Sequence, residues 1–381
     1  MLIVGVFHPP IRPESFGGSV AVTISIVNAL AESGYNVILF VRDEINQQKL
    51  SQIMGEKLSN RIKVVMKPSV LRSRNLINLY ENAFKLLALK LKCDLVIDTY
   101  SCYVFPWTDV GYIHFPYINN LLFKKKFPYL TKRKGILSDT INLPYIFFER
   151  NFEKYDQKLL LANSYFTSNA IKKGIGVDAK VLYPPISTSF IHGLNTYGKN
   201  QRANLVVTVG RITNDKKIEA IPQIANKIRE KDLEFTIIGF LHNKDALKRI
   251  NAKIEKYGLN GKIKILTDVS REKLRNILGR AKVYLHPPTI EHFGISIAEA
   301  MAMGCIPVVY EMGGAKEFVP PEFIYKNLQE AAEKVEKAID KWSIKEARKM
   351  NTIVQKFSEQ NFRKNFIEIF ANYCSQITVP N

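Results

Sequence analysis

The chain has 381 residues, 46% of them hydrophobic and 24% charged, with a formal net charge of +20 at pH 7. That length points to two domains, and that balance excludes a disordered chain. No run of about eighteen uncharged apolar residues occurs, which argues against a spanning helix. The four cysteines, Cys93, Cys102, Cys305 and Cys374, are widely spaced and offer no metal-ligand pair, which fits a reduced, cytoplasmic setting. Residues Met1 to Phe7 lack the basic start and cleavage pattern of a signal peptide and read as a buried strand. The positive surplus suits an anionic partner, whether nucleic acid, anionic lipid or a phosphorylated substrate, although a lysine-rich composition alone would produce it too.

In chain order, strands are predicted at Leu2–His8, Asn36–Val41, Lys63–Met66, Leu95–Tyr100, Gly111–Phe115, Lys158–Ala162 and Lys180–Tyr183. Several are continuous apolar runs, as expected of strands covered on both faces. Helical spacing fills Val20–Ser33 and Leu76–Leu91. The polar stretch from 191 to 204 reads as a linker. The alternation then restarts, with strands at Leu205–Val209, Phe235–Ile238, Lys262–Leu266, Val283–Leu285, Ile306–Tyr310 and Phe323–Tyr325, and helices at Ala220–Glu230, Lys244–Tyr257, Arg271–Leu278 and Gln329–Lys341. Two alternating arrays predict an α/β chain of two doubly wound domains, over 1–190 and 205–355, facing each other across a cleft. A last helix within 356–381 sets Phe362, Phe366, Ile369, Phe370 and Tyr373 on one face, suited to packing back on the first domain.

Chemistry-bearing residues cluster at predicted strand ends. Gly17-Gly18 precede the first helix, either as an ordinary turn or as a place where backbone amides approach a phosphate. His114 ends a strand, as a structural or a catalytic imidazole. Strand Leu205–Val209 runs into Gly210-Arg211 and Lys216, a solvated basic loop or a pair of phosphate-binding cations. Gly239 and Gly313-Gly314 follow two other strands and would allow a ligand close to the backbone. The most telling stretch is Glu291-His292-Phe293-Gly294-Ile295, followed by Glu299. A helix beginning near Gly294 leaves Glu291 in the loop and Glu299 two turns in, with the amides of Phe293, Gly294 and Ile295 aimed at an anion.

Together these residues resemble a retaining, nucleotide-sugar-dependent glycosyltransferase of family 4, with the GT-B fold, over essentially the whole chain. Tyr112-Ile113-His114-Phe115-Pro116, Ala162-Asn163-Ser164-Tyr165-Phe166-Thr167 and Leu182-Tyr183-Pro184-Pro185 also resemble dolichol-linked α-1,2-mannosyltransferases. The resemblance implies that Arg211 and Lys216 hold the donor pyrophosphate, with amides of Gly18, Phe293, Gly294 and Ile295. It implies Glu299 on the ribose, Glu291 on the transferred sugar, and His114 near the reacting carbon or the sugar's 6-hydroxyl. No metal and no cofactor are implied. Lys217 stands where many relatives carry glycine.

The acceptor side is read from Lys124, Lys125, Lys126, Lys132, Arg133 and Lys134, interleaved with aromatics. This pattern suits an anionic membrane surface or a polyprenyl-linked acceptor, although a solvated loop over a core helix would look similar. The expectation is transfer of a hexose, mannose from GDP-mannose, to a lipid-linked glycan at the cytoplasmic membrane face, with peripheral attachment. UDP-sugar donors, and then a GT-B epimerase or phosphorylase, are the alternatives. A nucleic-acid-binding protein would explain the charge but not the acids and paired sheets, so no nucleic-acid partner is expected.

Overall fold

The computed structural model describes residues 2–11, 17–54, 57–68, 77–116, 157–197, 202–228 and 232–377. Contacts divide the chain into two compact units. One comprises Met1–Leu50, Glu56–Pro184 and Phe362–Asn381, the other Ser51–Gly55 and Pro185–Asn361.

The first unit is built on seven strands: β1 (Ile3–Phe7), β2 (Asn36–Val41), β3 (Ile62–Met66), β4 (Leu95–Asp98), β5 (Val110–Ile113), β6 (Leu159–Ala162) and β7 (Lys180–Val181). They lie parallel in the order β3-β2-β1-β4-β5-β6-β7. Val4, Val6, Phe7, Val96, Ile97 and Leu161 are fully or almost fully buried, as a sheet covered on both faces requires. The helix Gly18–Glu32 is buried on nearly every side, so its polar residues need partners. Asn28 finds them in the 57–59 loop, donating to Lys57 O at 2.9 Å and accepting from Ser59 N at 3.0 Å.

From Phe362 onward the last helix, Glu359–Gln376, belongs to this unit. Phe362, Phe366 and Phe370 stack along it at 6.4 and 5.7 Å, with Phe362 against Tyr112 and Phe370 against Tyr35. Each buried ring contributes roughly 1.5–3 kcal/mol, so the aromatic face found in the sequence is what attaches the chain's end.

The second unit has six parallel strands: β8 (Ala203–Val209), β9 (Glu234–Gly239), β10 (Ile263–Thr267), β11 (Ala281–Leu285), β12 (Ile306–Tyr310) and β13 (Ile324–Tyr325). Their order is β10-β9-β8-β11-β12-β13. Both sheets therefore grow outward from their first strand in one direction and then in the other. The order reverses between β1 and β4 and again between β8 and β11, and such switch points open a crevice at the strands' carboxyl ends. The strands fall where the apolar runs predict them, with ends shifted by a few residues.

The stretch 191–204, expected as a linker, is instead structured where it is described. The units divide after Pro184, Gly193–Tyr197 is a helical turn with Leu194 buried, and Arg202 is 4% exposed. Arg202 Nη1 donates to Leu278 O at 3.3 Å and Ala281 O at 2.7 Å, and Nη2 donates to Met303 O. Those carbonyls close the helices Arg271–Arg280 and Ile295–Ala302, and the guanidinium offsets the partial negative charge of both ends. A polar composition concealed a buried cap.

Candidate functional site

In the second unit, the loops after β8 and β11 flank the switch point. The β8 loop is held by Gly210 N donating to Ile238 O at 2.9 Å and Ile212 N to Phe240 O at 2.9 Å. It makes a helical turn at Asn214–Lys216 and leaves it through Lys217 at φ +48°. Glycine takes that left-handed conformation with the least strain, which gives the glycine-to-lysine departure noted above a physical meaning. Thr289 Oγ1 ties the two loops together by donating to Asp215 O at 3.1 Å.

Lys216 and Glu291, 75 positions apart, meet across this crevice: Lys216 Nζ donates to Glu291 Oε2 at 2.7 Å. His286 Nε2, at the carboxyl end of β11, lies 3.4 Å from the same oxygen. Burial alone would raise the Glu291 carboxyl, but Lys216 and then His286 outweigh it and hold the group well below the usual carboxylate range. Both contacts fall on Oε2, and the side chain keeps 24% of its surface open, so Oε1 can receive a ligand hydroxyl. Arg211 is exposed and its guanidinium makes no ion pair among the described residues, so its charge is available to an anion.

The helix behind Glu291 runs from Ile295 to Ala302, with Gly294 as its N-cap at φ +102°. A Cβ there would meet only side-chain atoms, Ile297 Cδ1 at 2.6 Å and Glu291 Cγ at 3.3 Å, so it is the left-handed backbone that calls for glycine. The first-turn amides of Ile295 and Ser296 precede the intrahelical ladder. Phe293 anchors the loop, its buried ring 5.1 Å from Phe318 and 5.0 Å from Phe357. Burial lowers the His292 imidazole to about 4, so it is neutral at pH 7. Glu299 lies just past the first turn rather than two turns in. It is buried, and the fork of Arg271 engages both its oxygens.

Two glycine expectations need correction. The space at Gly313 (φ +121°) is taken by the backbone of Glu291, not left for a ligand: a Cβ would strike Glu291 O and N, and Gly314 N donates to Glu291 O at 2.8 Å. The space at Gly239 is likewise filled by the Gly210 carbonyl. Gly210 itself has open space around its Cβ position.

In the first unit, His8 follows β1 and Thr99 follows β4, so a polar cluster sits at the switch point there too. His8 Nδ1 lies 2.8 Å from Thr23 Oγ1 and 3.1 Å from Thr99 Oγ1. His114 Nε2 lies 3.1 Å from Thr99 O, and since a carbonyl only accepts, Nε2 carries the proton. Asn163 Nδ2 donates to His114 O at 2.8 Å, and Tyr112 OH to Leu182 O at 2.8 Å. The motifs of the narrower resemblance therefore hydrogen-bond to one another around His114. Gly17 caps the helix Gly18–Glu32 in extended conformation, two residues before the predicted start. Lys124, Lys125, Lys126, Lys132, Arg133 and Lys134 lie outside the described residues.

Burial, with a smaller contribution from His114, lowers His8 from 6.5 to about 3. The folded state thus holds His8 neutral while the unfolded chain protonates it, so its contribution is complete above pH 6.5 and is lost as pH falls toward 3. Between pH 6.5 and about 4.5 the native state should lose about 2 kcal/mol from this group. Urea midpoints at the two pH values should separate further in the wild type than in His8→Gln, and equal separations would refute the assignment.

Sequence reasoning missed Arg271, His286 and His8. Arg271 opens an ordinary-looking amphipathic helix, and the two histidines, each followed by Pro-Pro at a strand end, were given no role.

Two doubly wound parallel sheets fit the GT-B fold. Across 98% of both chains the structure superimposes on a glycosyltransferase from Rickettsia africae with a TM-score of 0.72, at 16% identity, a likeness of fold alone. Residues 194–357 match the family described as Glycosyl transferases group 1. A human GDP-Man:Man(3)GlcNAc(2)-PP-Dol alpha-1,2-mannosyltransferase is 25% identical over 68% of this chain and 59% of its own length. A Saccharomyces cerevisiae phosphatidylinositol N-acetylglucosaminyltransferase GPI3 subunit is 26% identical over 48% of this chain and 42% of its own. The chain spans about half the length of the curated relatives it matches. Among the described residues no helix is long and apolar enough to cross a membrane.

Proposed function

We propose that this chain transfers a hexose from a nucleotide-diphosphate sugar to a lipid-linked glycan, with retention of the anomeric configuration. The observation that carries this is the Lys216–Glu291–His286 cluster at the switch point of the region that matches the group 1 family, with Arg211 exposed on the same loop as Lys216. Arg211 and Lys216 would take the donor pyrophosphate, with the first-turn amides behind them. They offset the negative charge that grows as the glycosidic bond breaks, the charge a divalent cation offsets elsewhere, so no metal is required. Glu291 Oε1 would accept from a hydroxyl of the sugar, and Glu299 from the ribose. In the first unit, the His114 imidazole is the group assigned to the chemistry, and acceptor recognition is assigned to that unit.

The donor is proposed to be GDP-mannose, supported by the mannosyltransferase relatives. A second reading, transfer of N-acetylglucosamine from a UDP-sugar to an inositol lipid, is favoured by the acetylglucosaminyltransferase relative. Thermal shift separates them, because a ligand bound only by the folded state raises its melting temperature. A rise with GDP and none with UDP supports the first, the reverse supports the second, and no response to either defeats both.

Peripheral attachment at the cytoplasmic face is proposed from the Lys124–Lys126 and Lys132–Lys134 clusters, where each well-placed cation is worth about 1 kcal/mol on an anionic surface. Flotation with anionic vesicles should fall when Lys124–Lys126 are neutralised. Equal flotation with neutral and anionic vesicles would refute it.

A further inference from the structure

Arg271 opens the helix Arg271–Arg280, whose cap Ser270 accepts from Lys273 N. Its guanidinium meets Glu299 with both arms, Nη1 donating to Oε2 at 3.2 Å and Nη2 to Oε1. The guanidinium carbon also stands 4.3 Å from the centre of the Phe190 ring. Arg275, one turn on, lies 5.9 Å from the same ring and donates to Ser189 Oγ at 3.1 Å. Glu299 retains only 7% of its side-chain exposure and Arg271 24%.

A carboxylate this buried needs hydrogen-bond partners for its oxygens. A fork does more than a point charge. Two parallel bonds fix the plane of the carboxylate, and each oxygen keeps a further lone pair in that plane. Phe190 in turn stops the guanidinium from swinging away. We propose that Arg271 is a positioning residue that fixes the carboxylate plane of Glu299, so that its free lone pairs meet the ribose hydroxyls of the nucleotide. This rests on the reading above that Glu299 grips the ribose.

The test is a cycle between protein and ligand. Dissociation constants are measured for GDP and 2′,3′-dideoxy-GDP, with UDP and its dideoxy form in parallel, and the base that binds more tightly is used. Hydrogen bonds to a buried charge should make the ribose form bind the wild type roughly ten- to a hundredfold more tightly than the dideoxy form. Glu299→Gln should reduce that ratio by roughly tenfold. Arg271→Met keeps an apolar stem over Phe190 but removes the fork. It should lower the ratio severalfold while leaving dideoxy binding within about twofold of the wild type. Arg271→Lys, with the charge but no fork, should fall between them, and it serves if the methionine variant does not fold.

If Arg271 only supports the fold, both ligands lose affinity equally and the ratio stays at the wild-type value, which overturns the proposal. A ratio that drops in Glu299→Gln but not in either Arg271 variant overturns the positioning role and leaves the ribose reading intact. A wild-type ratio near one overturns both.

Discussion

Gly313→Ala should reduce kcat/KM roughly a hundredfold or more while the protein still folds. Gly313 is at φ +121°, a backbone conformation costing about 1–3 kcal/mol for alanine. The added methyl would also strike the carbonyl and amide of Glu291, which are backbone and cannot rotate aside. The loop must therefore move, and Glu291 with it, although Gly313 bears no side chain for a ligand to touch. A displacement of about 1 Å in a reacting group is enough for a loss of about a hundredfold. Steady-state kinetics beside a melting curve check it: a folded Gly313→Ala protein with wild-type kcat/KM would show that the Glu291 backbone position is not critical.

Lys216→Met should lower kcat/KM by roughly a hundred- to a thousandfold, the usual cost of removing one preorganised group that stabilises developing charge. Stability should change little, because both partners of the pair are partly open to solvent, at 22% and 24%. A second signature follows from Glu291. The charge of Lys216 is the largest single influence holding its carboxyl down against burial. Without it the carboxyl titrates at higher pH, so activity should fall at mildly acidic pH in the variant where the wild type still works. A Lys216→Met enzyme with unchanged kcat/KM and an unchanged acid limb would remove Lys216 from the site.

The fold was legible because most strands are short, largely apolar runs. Asn36–Val41 and Ile306–Tyr310 begin and end where the sequence places them. Where ends moved, a local competitor is visible. The strand predicted as Leu95–Tyr100 stops at Asp98, whose carboxylate accepts from Tyr100 N at 2.9 Å and Ser101 N at 3.0 Å and so turns the chain.

The site was legible as a set of residues at strand ends, but not as a set of pairs. Arg211, Lys216, Glu291 and Glu299 could be named from position. That Lys216 closes on Glu291, and Arg271 on Glu299, depends on strand order and loop path, which periodicity does not encode. The glycines show the same limit. Their need for space was clear at Gly239 and Gly313, yet the occupant is another loop's backbone. Arg202 was hidden more completely, because a charged residue in a polar stretch gives no sign that helix ends converge on it.

The proposed retaining transfer from a nucleotide-diphosphate sugar at the Lys216–Glu291 site is open to direct test. The most direct measurement is product analysis by NMR after incubating the protein with GDP-mannose and a polyprenyl-diphosphate-linked glycan. GDP release should be matched by an α-linked mannosyl product, with both strongly reduced in Lys216→Met. A β-linked product, or no transfer from GDP-mannose or from any UDP-sugar tried in its place, would contradict it.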